Sequence, residues 1–224
     1  MTEDKVKMNQ ADFTLQSRLT TQQSNIGLIL LAAGASLRMK KRPKQLLEFR
    51  GKTLLRRAAE TALDTCCYPV CVVLGANAEK LRTQVADLPI VIADNKNWTD
   101  GMASSLQIGM EKLLEIAPGI SAVCIMLADQ PLINSETIKR LIETFEFGEN
   151  PVMACGYAET IGVPAILARS LFDEVMNLEG DSGAKTIIQK YTDAAGILSV
   201  PEAAIDIDSQ QDYELLTSMG KKRK

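Results

Sequence analysis

The sequence contains no histidine. That absence removes serine–histidine–acid and cysteine–histidine catalysis, and it removes imidazole as a metal ligand. Any acid–base or metal chemistry must rest on carboxylates, lysines, thiolates or a bound ion. Aromatic residues make up only 4% of the chain, too few for the stacked platforms that hold single-stranded nucleic acid. The longest apolar run, Ile26 to Ala35, has ten residues, about half of what a bilayer-spanning helix needs. Five cysteines stand at 66, 67, 71, 124 and 155, with no Cys-x-x-Cys pair among them. This argues against a zinc or thioredoxin-like redox site. Several lie in apolar runs such as Val70-Cys71-Val72 and Val123-Cys124-Ile125, where a free thiol behaves as a small buried hydrophobe. The odd count and an N-terminus (Met1-Thr2-Glu3-Asp4-Lys5) without the apolar region of a signal peptide lead us to expect the reducing cytoplasm.

What is present is the composition of an ordinary globular protein. The 224 residues are 46% hydrophobic and 24% charged, which suits one domain with a sizeable core. Charge is unevenly spread. Between Arg38 and Arg57 nine basic residues face one acid, Glu48, a local net of +8 in a chain whose net charge is −3. The rest of the chain therefore carries −11. A basic island in an acidic chain marks an anionic partner for that segment, although a solvated charged face would look the same. Position along the chain decides between them.

Residues 1–24 are polar and aperiodic, and read as an N-terminal arm; residues 25–224 read as one domain. Short apolar runs then alternate with amphipathic stretches. Strands are expected at Ile26–Leu31, Val70–Leu74, Ile90–Ile92, Ala122–Leu127, Val152–Cys155 and Ala165–Ala168, with extended segments at Ile197–Val200 and Ala204–Ile207. Helices are expected at Thr53–Leu63, Ala78–Val85, Ala103–Ile116, Ser135–Phe145 (with Ser135 as a cap), Leu171–Leu178, Ala184–Tyr191 and Gln211–Ser218. This alternation predicts an α/β fold: a doubly wound, mostly parallel, Rossmann-like sheet with helices on both faces. Such sheets bind ligands beyond the carboxyl ends of their strands.

After the first strand comes Leu31-Ala32-Ala33-Gly34-Ala35-Ser36, followed by Arg38 and Lys44. Small residues let the backbone approach a ligand, and its N–H groups can cradle phosphates. The basic island thus begins where an anion site is expected. The loop matches neither Gly-x-x-x-x-Gly-Lys nor Gly-x-Gly-x-x-Gly, so Walker-type and dinucleotide readings are disfavoured. Asp129 follows a later strand, and Asp206 and Asp208 sit two apart in a segment expected to be extended, which would put them on one face. Carboxylates opposite a phosphate loop can hold Mg²⁺, a hard cation that needs few protein ligands. Each aspartate taken alone would more simply be a cap or turn residue. Gly101-Met102-Ala103-Ser104-Ser105 opens a helix, where free N–H groups and hydroxyls suit an anion or a nucleotide, or simple capping.

Taken together, Leu31 through Met39, Pro43-Lys44-Gln45-Leu46-Leu47, Gly101 to Leu106, Asp129-Gln130-Pro131, Gly162-Val163-Pro164-Ala165, Gly180 to Lys185 and Asp206 to Ser209 resemble the MobA-like nucleotidyltransferases. Within them the motifs are most similar to the molybdenum cofactor cytidylyltransferases, over roughly residues 25–217. The resemblance implies a nucleotide-diphospho-sugar transferase-like fold and Mg²⁺-dependent transfer of a cytidylyl group from CTP to the terminal phosphate of molybdopterin. It implies that the backbone of Leu31, Ala32, Ala33, Gly34, Ala35 and Ser36, with Arg38 and Lys44, holds the triphosphate. Asp129 and Asp208 would hold the metal, with Asp206 a neighbouring candidate. Gly101, Ser104 and Ser105 would lie against the nucleotide, and Gly162, Pro164, Asp181 and Lys185 would face the acceptor. Arg38, Lys44 and Asp129 would carry catalysis. Ala33, where guanylyl-transferring relatives tend to have glycine, implies CTP. The implied partners are CTP, a molybdopterin-type phosphorylated acceptor and a molybdenum hydroxylase client, with no nucleic acid and no membrane. The chain departs from the family pattern at Lys40, in place of a usual glycine, and at Ala128.

Two rival readings stay open. One is a cytidylyltransferase for another phosphorylated acceptor such as methylerythritol phosphate; the Gly162-Val163-Pro164-Ala165 and Gly180-to-Ala184 segments argue against it. The other is a non-catalytic protein that delivers cofactor to a molybdenum enzyme.

Overall fold

The computed structural model describes residues 24–36, 39 and 43–221. The expected N-terminal arm up to residue 23, Arg38, and the final residues 222–224 lie outside the described residues.

Seven strands form one sheet in the order β5-β4-β1-β6-β8-β7-β9. They are β1 (Ile26–Ala32), β4 (Val70–Leu74), β5 (Val91–Asp94), β6 (Ala122–Leu127), β7 (Val152–Tyr157), β8 (Thr160–Ala168) and β9 (Ala195–Ser199). Their near-continuous apolar sequences are those of strands covered on both faces; every residue of β1 and of β4 is buried. β1 pairs in parallel with β4 on one side and with β6 on the other. β8 is reversed, antiparallel to both β6 and β7. The expectation of a mostly parallel sheet therefore holds with this one exception. A tight turn joins β7 and β8, and only an antiparallel pair can be joined so briefly.

Side chains alternate between the two faces of β1. Ile26, Leu28 and Leu30 face the core under the helices α1 (Leu54–Leu63), α2 (Ala78–Arg82) and α4 (Ser135–Phe147). Ile29 and Leu31 face the core under α3 (Met102–Ile116), α5 (Phe172–Met176) and α6 (Ala184–Lys190). Two glycines bring α3 onto the sheet. A methyl at Gly27 would meet Leu113 Cδ1 at 2.9 Å, and one at Gly109 would meet Ile29 Cγ2 at 2.9 Å. A third, smaller cluster of Met39, Leu47, Phe49, Leu54, Ile207 and Leu216 joins the hairpin β2 (Glu48–Phe49) and β3 (Lys52–Thr53) to the C-terminal helix α7 (Gln210–Lys221).

Several expectations need correction. The hairpin β2–β3 falls where no strand was expected; its strands are too short to show a period. α2 ends at Arg82, three residues early, where Thr83 donates its hydroxyl to the Lys80 carbonyl. α4 is capped by Asn134, whose side chain accepts from the Thr137 N–H at 2.9 Å, and not by Ser135. Most consequentially, Ala204–Ile207 is no strand: Pro201–Ala204 makes a 3₁₀ turn and the chain then runs irregularly to Asp208. Proline at the start of that turn has a φ fixed for helical geometry and no N–H for a sheet ladder. Of the five free cysteines, Cys67, Cys71, Cys124 and Cys155 are buried, but Cys66 is only half-buried. No helix among the described residues is long and apolar enough to cross a membrane.

Candidate active site

The order of the sheet places β1 between the strand that follows it (β4) and the strand to which the chain later returns (β6). This is the switch point at which an α/β sheet opens a crevice. A cavity of about 500 Å³ lies there, a size that suits a nucleotide-sized ligand. Its floor is the loop leaving β1, residues Leu31 to Ser36. Lys44, Asp129 and Asp208 line it on the β6 side, and Trp98, Gly101, Met102 and Ser105 on the β4–β5 side.

The floor is tied down by Gln45, which is 2% exposed. Its amide nitrogen donates to the carbonyls of Ala32 at 3.2 Å and Gly34 at 2.9 Å, while its oxygen accepts from the Ser36 hydroxyl at 3.1 Å. The same hydroxyl accepts from the Lys44 N–H at 3.1 Å. Ser36 adopts a left-handed φ of 56°, which turns the chain sharply beneath the cavity. A methyl placed on Gly34 would touch nothing within 4 Å, so this residue is open to the ligand space.

The charged end is a compact triad. Lys44 Nζ lies 2.5 Å from Asp129 Oδ2 and 2.8 Å from Asp208 Oδ1. The lysine side chain is 15% exposed and that of Asp129 16%. Burial by itself would lower the pKa of Lys44, but Asp129 and, less strongly, Asp208 outweigh it and raise it. The ammonium is thus held charged. Asp208 reaches this position although its segment is not a strand. Ile207 is fully buried in the third cluster, and its N–H donates to the Asp129 carbonyl at 3.0 Å. Asp206 lies outside the cavity lining, and although much of the residue is exposed, partial loss of water at its carboxyl, then Asp208 and Asp129, push that carboxyl up.

Does the triad suit a divalent ion? Asp129 Oδ1 is buried and has no hydrogen-bond partner among the described residues. An orphaned carboxylate oxygen of this kind is costly unless something positive reaches it. Its donors are hard oxygens, as Mg²⁺ prefers, and two carboxylates with water and phosphate can complete such a site. Among the described residues no set of three or more Asp, Glu, Cys or His converges as a protein-only metal site. The residues present therefore fit an ion that shares its coordination with a phosphorylated ligand.

On the other side, buried Asn95 donates to the hydroxyls of Ser104 at 2.8 Å and Ser105 at 2.9 Å, and its oxygen accepts from the Asn97 N–H at 2.9 Å. Ser105 lines the cavity; Ser104 instead donates to the Gly101 carbonyl at 2.8 Å and braces the turn. Gly101, with φ of 102°, packs so tightly on Gly180 that any side chain would collide with it, and the Ala103 N–H donates to the Gly180 carbonyl at 3.1 Å. Gln107 fixes the same loop by donating to the carbonyls of Met176 and Leu178, both at 2.9 Å. These contacts bring Asp181 to the cavity wall.

Of the residues singled out from sequence, Leu31 to Ser36, Lys44, Gly101, Ser105, Asp129, Asp181 and Asp208 converge on the cavity. Ser104, Gly162, Pro164 and Lys185 are not among its lining residues. Because β8 is reversed, Gly162 and Pro164 sit at its start, at the carboxyl edge of the sheet beside Gln130, which donates to the Val163 carbonyl at 3.1 Å. Gln45, Asn95, Trp98 and Met102 went unassigned in the sequence. Asn95 follows a strand and could have been found by that rule alone.

With this geometry in place the likeness to known proteins can be weighed. Residues 28–195 match the model of the MobA-like NTP transferase domain. The chain belongs to that family. It is a nucleotidyltransferase of MobA-like type. Among curated relatives, nicotine blue oxidoreductase of Paenarthrobacter nicotinovorans is 31% identical over 197 residues, covering 84% of this chain and 95% of the relative. Among solved structures, Rv0371c of Mycobacterium tuberculosis superposes with a TM-score of 0.75 at 27% identity, covering 88% of this chain and all of that one. A manganese complex of Rv0371c gives a TM-score of 0.72 at 26% identity, covering 86% of this chain and 98% of that one.

Proposed function

We propose that this MobA-like nucleotidyltransferase moves a cytidylyl group from CTP to the terminal phosphate of a molybdopterin-type acceptor, with Mg²⁺ as cofactor. The observation that carries the reading is the triad itself: a half-buried lysine between two aspartates, one with an inner oxygen unpartnered among the described residues, beside a loop of small residues at the switch point. The acceptor and the preference for CTP rest on the motifs Gly162-Val163-Pro164-Ala165 and Gly180 to Lys185 and on Ala33. A divalent cation in a solved relative is consistent with the metal requirement.

In this reading an oxygen of the acceptor phosphate forms a bond to the α-phosphorus of CTP. The bond from that phosphorus to the bridging oxygen breaks, and pyrophosphate leaves. A phosphate monoester is already largely ionised at pH 7, so a chain without histidine needs no general base here. The protein's work is positioning and charge neutralisation. The loop from Leu31 to Ser36 presents backbone to the triphosphate, Arg38 and Lys44 supply positive charge, and Asp129 and Asp208 would hold the ion. When bound, magnesium neutralises phosphate charge and polarises the phosphoryl oxygens. Asp181, with Gly162 and Pro164 at the start of β8 and Lys185 in the first turn of α6, forms the acceptor side.

The test is pyrophosphate release with molybdopterin, Mg²⁺ and each nucleoside triphosphate in turn. Release with CTP is expected. Release with GTP alone would keep the transfer and overturn the reading of Ala33. Asp129→Asn should lower turnover by about 10³-fold, the scale of losing a principal charge-stabilising group, while the fold persists. Normal turnover by that variant would sink the mechanism. The relative named as an oxidoreductase favours one competing reading. Redox turnover of nicotine blue by the purified chain with an added electron donor, without pyrophosphate release, would put it first.

A further inference from the structure

We infer that Trp98 is the surface against which the base of the nucleotide stacks. This rests on the nucleotide reading above and deepens it by assigning the other end of the cavity. The charged triad is confined to the β6 side of β1, so the phosphates belong there. A nucleotide laid across the switch point must then send its base toward the β4–β5 side. Trp98 lies on that side, in the 3₁₀ turn Trp98–Asp100 that follows β5, and lines the cavity. It is the only tryptophan in the chain, and the only aromatic residue lining the cavity among the described residues.

The ring's place is set by its neighbours. It is half-buried and packs against the core under α3, which leaves the remainder to the cavity. Gly75 makes this possible: a methyl there would lie 2.7 Å from Trp98 Cβ and 2.8 Å from Ala33 Cβ. Trp98, Gly75 and Ala33 are therefore stacked in contact, and the wall they form adjoins the loop that receives the triphosphate. A large ring held on one side by the core loses little freedom when a base covers its open side. Stacking of this kind is tolerant of base identity, because every base has a π-face. Trp98 would thus supply affinity, while Ala33 and Ser105, which line the same end, are placed to discriminate between bases.

The single tryptophan makes the test direct. CTP, GTP and inorganic tripolyphosphate are titrated with Mg²⁺ into the full chain, with tryptophan emission and calorimetric binding read in parallel. CTP should bind and quench the emission, while tripolyphosphate binds and leaves it unchanged. Trp98→Ala should weaken CTP by about tenfold, the scale of losing one stacked base, and leave tripolyphosphate affinity the same. Trp98→Phe should recover most of the loss. If CTP binds without quenching, if tripolyphosphate quenches equally, or if Trp98→Ala weakens both ligands alike, the assignment of Trp98 is wrong and the transferase reading stands. If calorimetry finds no nucleotide and no tripolyphosphate binding by a folded protein, the transferase reading falls and the base platform falls with it.

Discussion

Gln45 offers the most direct test of how the floor of the site is held. Replacing it with leucine keeps the volume near constant and removes three hydrogen bonds: two donated to the Ala32 and Gly34 carbonyls and one accepted from Ser36. At about 1 kcal/mol net for each, and more where a carbonyl is left buried and unpaired, Gln45→Leu should cost about 2–4 kcal/mol of stability. That is a large share of the roughly 5–15 kcal/mol that holds a domain folded. Gln45→Glu is the sharper probe. One carboxyl oxygen can still accept from Ser36, but in the carboxylate the oxygen that replaces Nε2 faces the Ala32 and Gly34 carbonyl oxygens with no proton between them. Burial and those carbonyls favour the protonated acid, so the folded-state pKa must lie above the unfolded value of about 4.3. The folded state then holds a proton that the unfolded state has released, and stability falls as pH rises from about 4.3 through the folded pKa. Urea unfolding of both variants and the parent at pH 4.5 and 7 reads this directly. Gln45→Glu should come closest to the parent at pH 4.5 and lose ground by pH 7. A Gln45→Leu protein within about 0.5 kcal/mol of the parent, or a Gln45→Glu deficit independent of pH, would refute the argument that this amide braces the loop.

Four other expectations follow from particular residues. Gly34→Leu should leave the unfolding midpoint nearly unchanged, because a side chain there meets open space, yet abolish nucleotide binding measured by calorimetry. Gly101→Ala should destabilise strongly, by about 2 kcal/mol or more, since it adds a clash with Gly180 to a positive φ; an unchanged melting temperature would mean that the two loops are not in register. Burial pushes the thiols of Cys71 and Cys155 up to about 12, from an ordinary value of 9.0. They stay protonated in the fold at pH values where an unfolded chain would ionise, so stability should decline as pH rises from about 9 toward 12. At neutral pH, only half-buried Cys66 should react promptly with a thiol reagent, and rapid labelling of all five cysteines would contradict the packing.

The sequence by itself determined the mostly parallel α/β architecture and which strand ends carry the proposed phosphate site. Strands such as Ile26–Ala32 and Ala122–Leu127 are apolar throughout because both faces are covered, and that property can be read without coordinates. The small-residue loop, Lys44 and Asp129 were found by looking just after strands, a rule that follows from how parallel sheets expose their carboxyl ends. Local pattern failed where long-range contacts decide. Asp206 and Asp208 read as neighbours on one face of a strand; the fold bends that segment, buries Ile207, and sends Asp208 to Lys44 while Asp206 stays at the rim. Gln45 and Asn95 are polar residues whose meaning lies in partners nine to thirteen positions away, and no periodicity marks them. The reversal of β8, which sets Gly162 and Pro164 at the carboxyl end of the parallel strands, depends on pairing between strands far apart in sequence. Trp98 could be counted in the sequence, but only the tertiary structure, which sets it beside Gly75, shows that it lines the cavity.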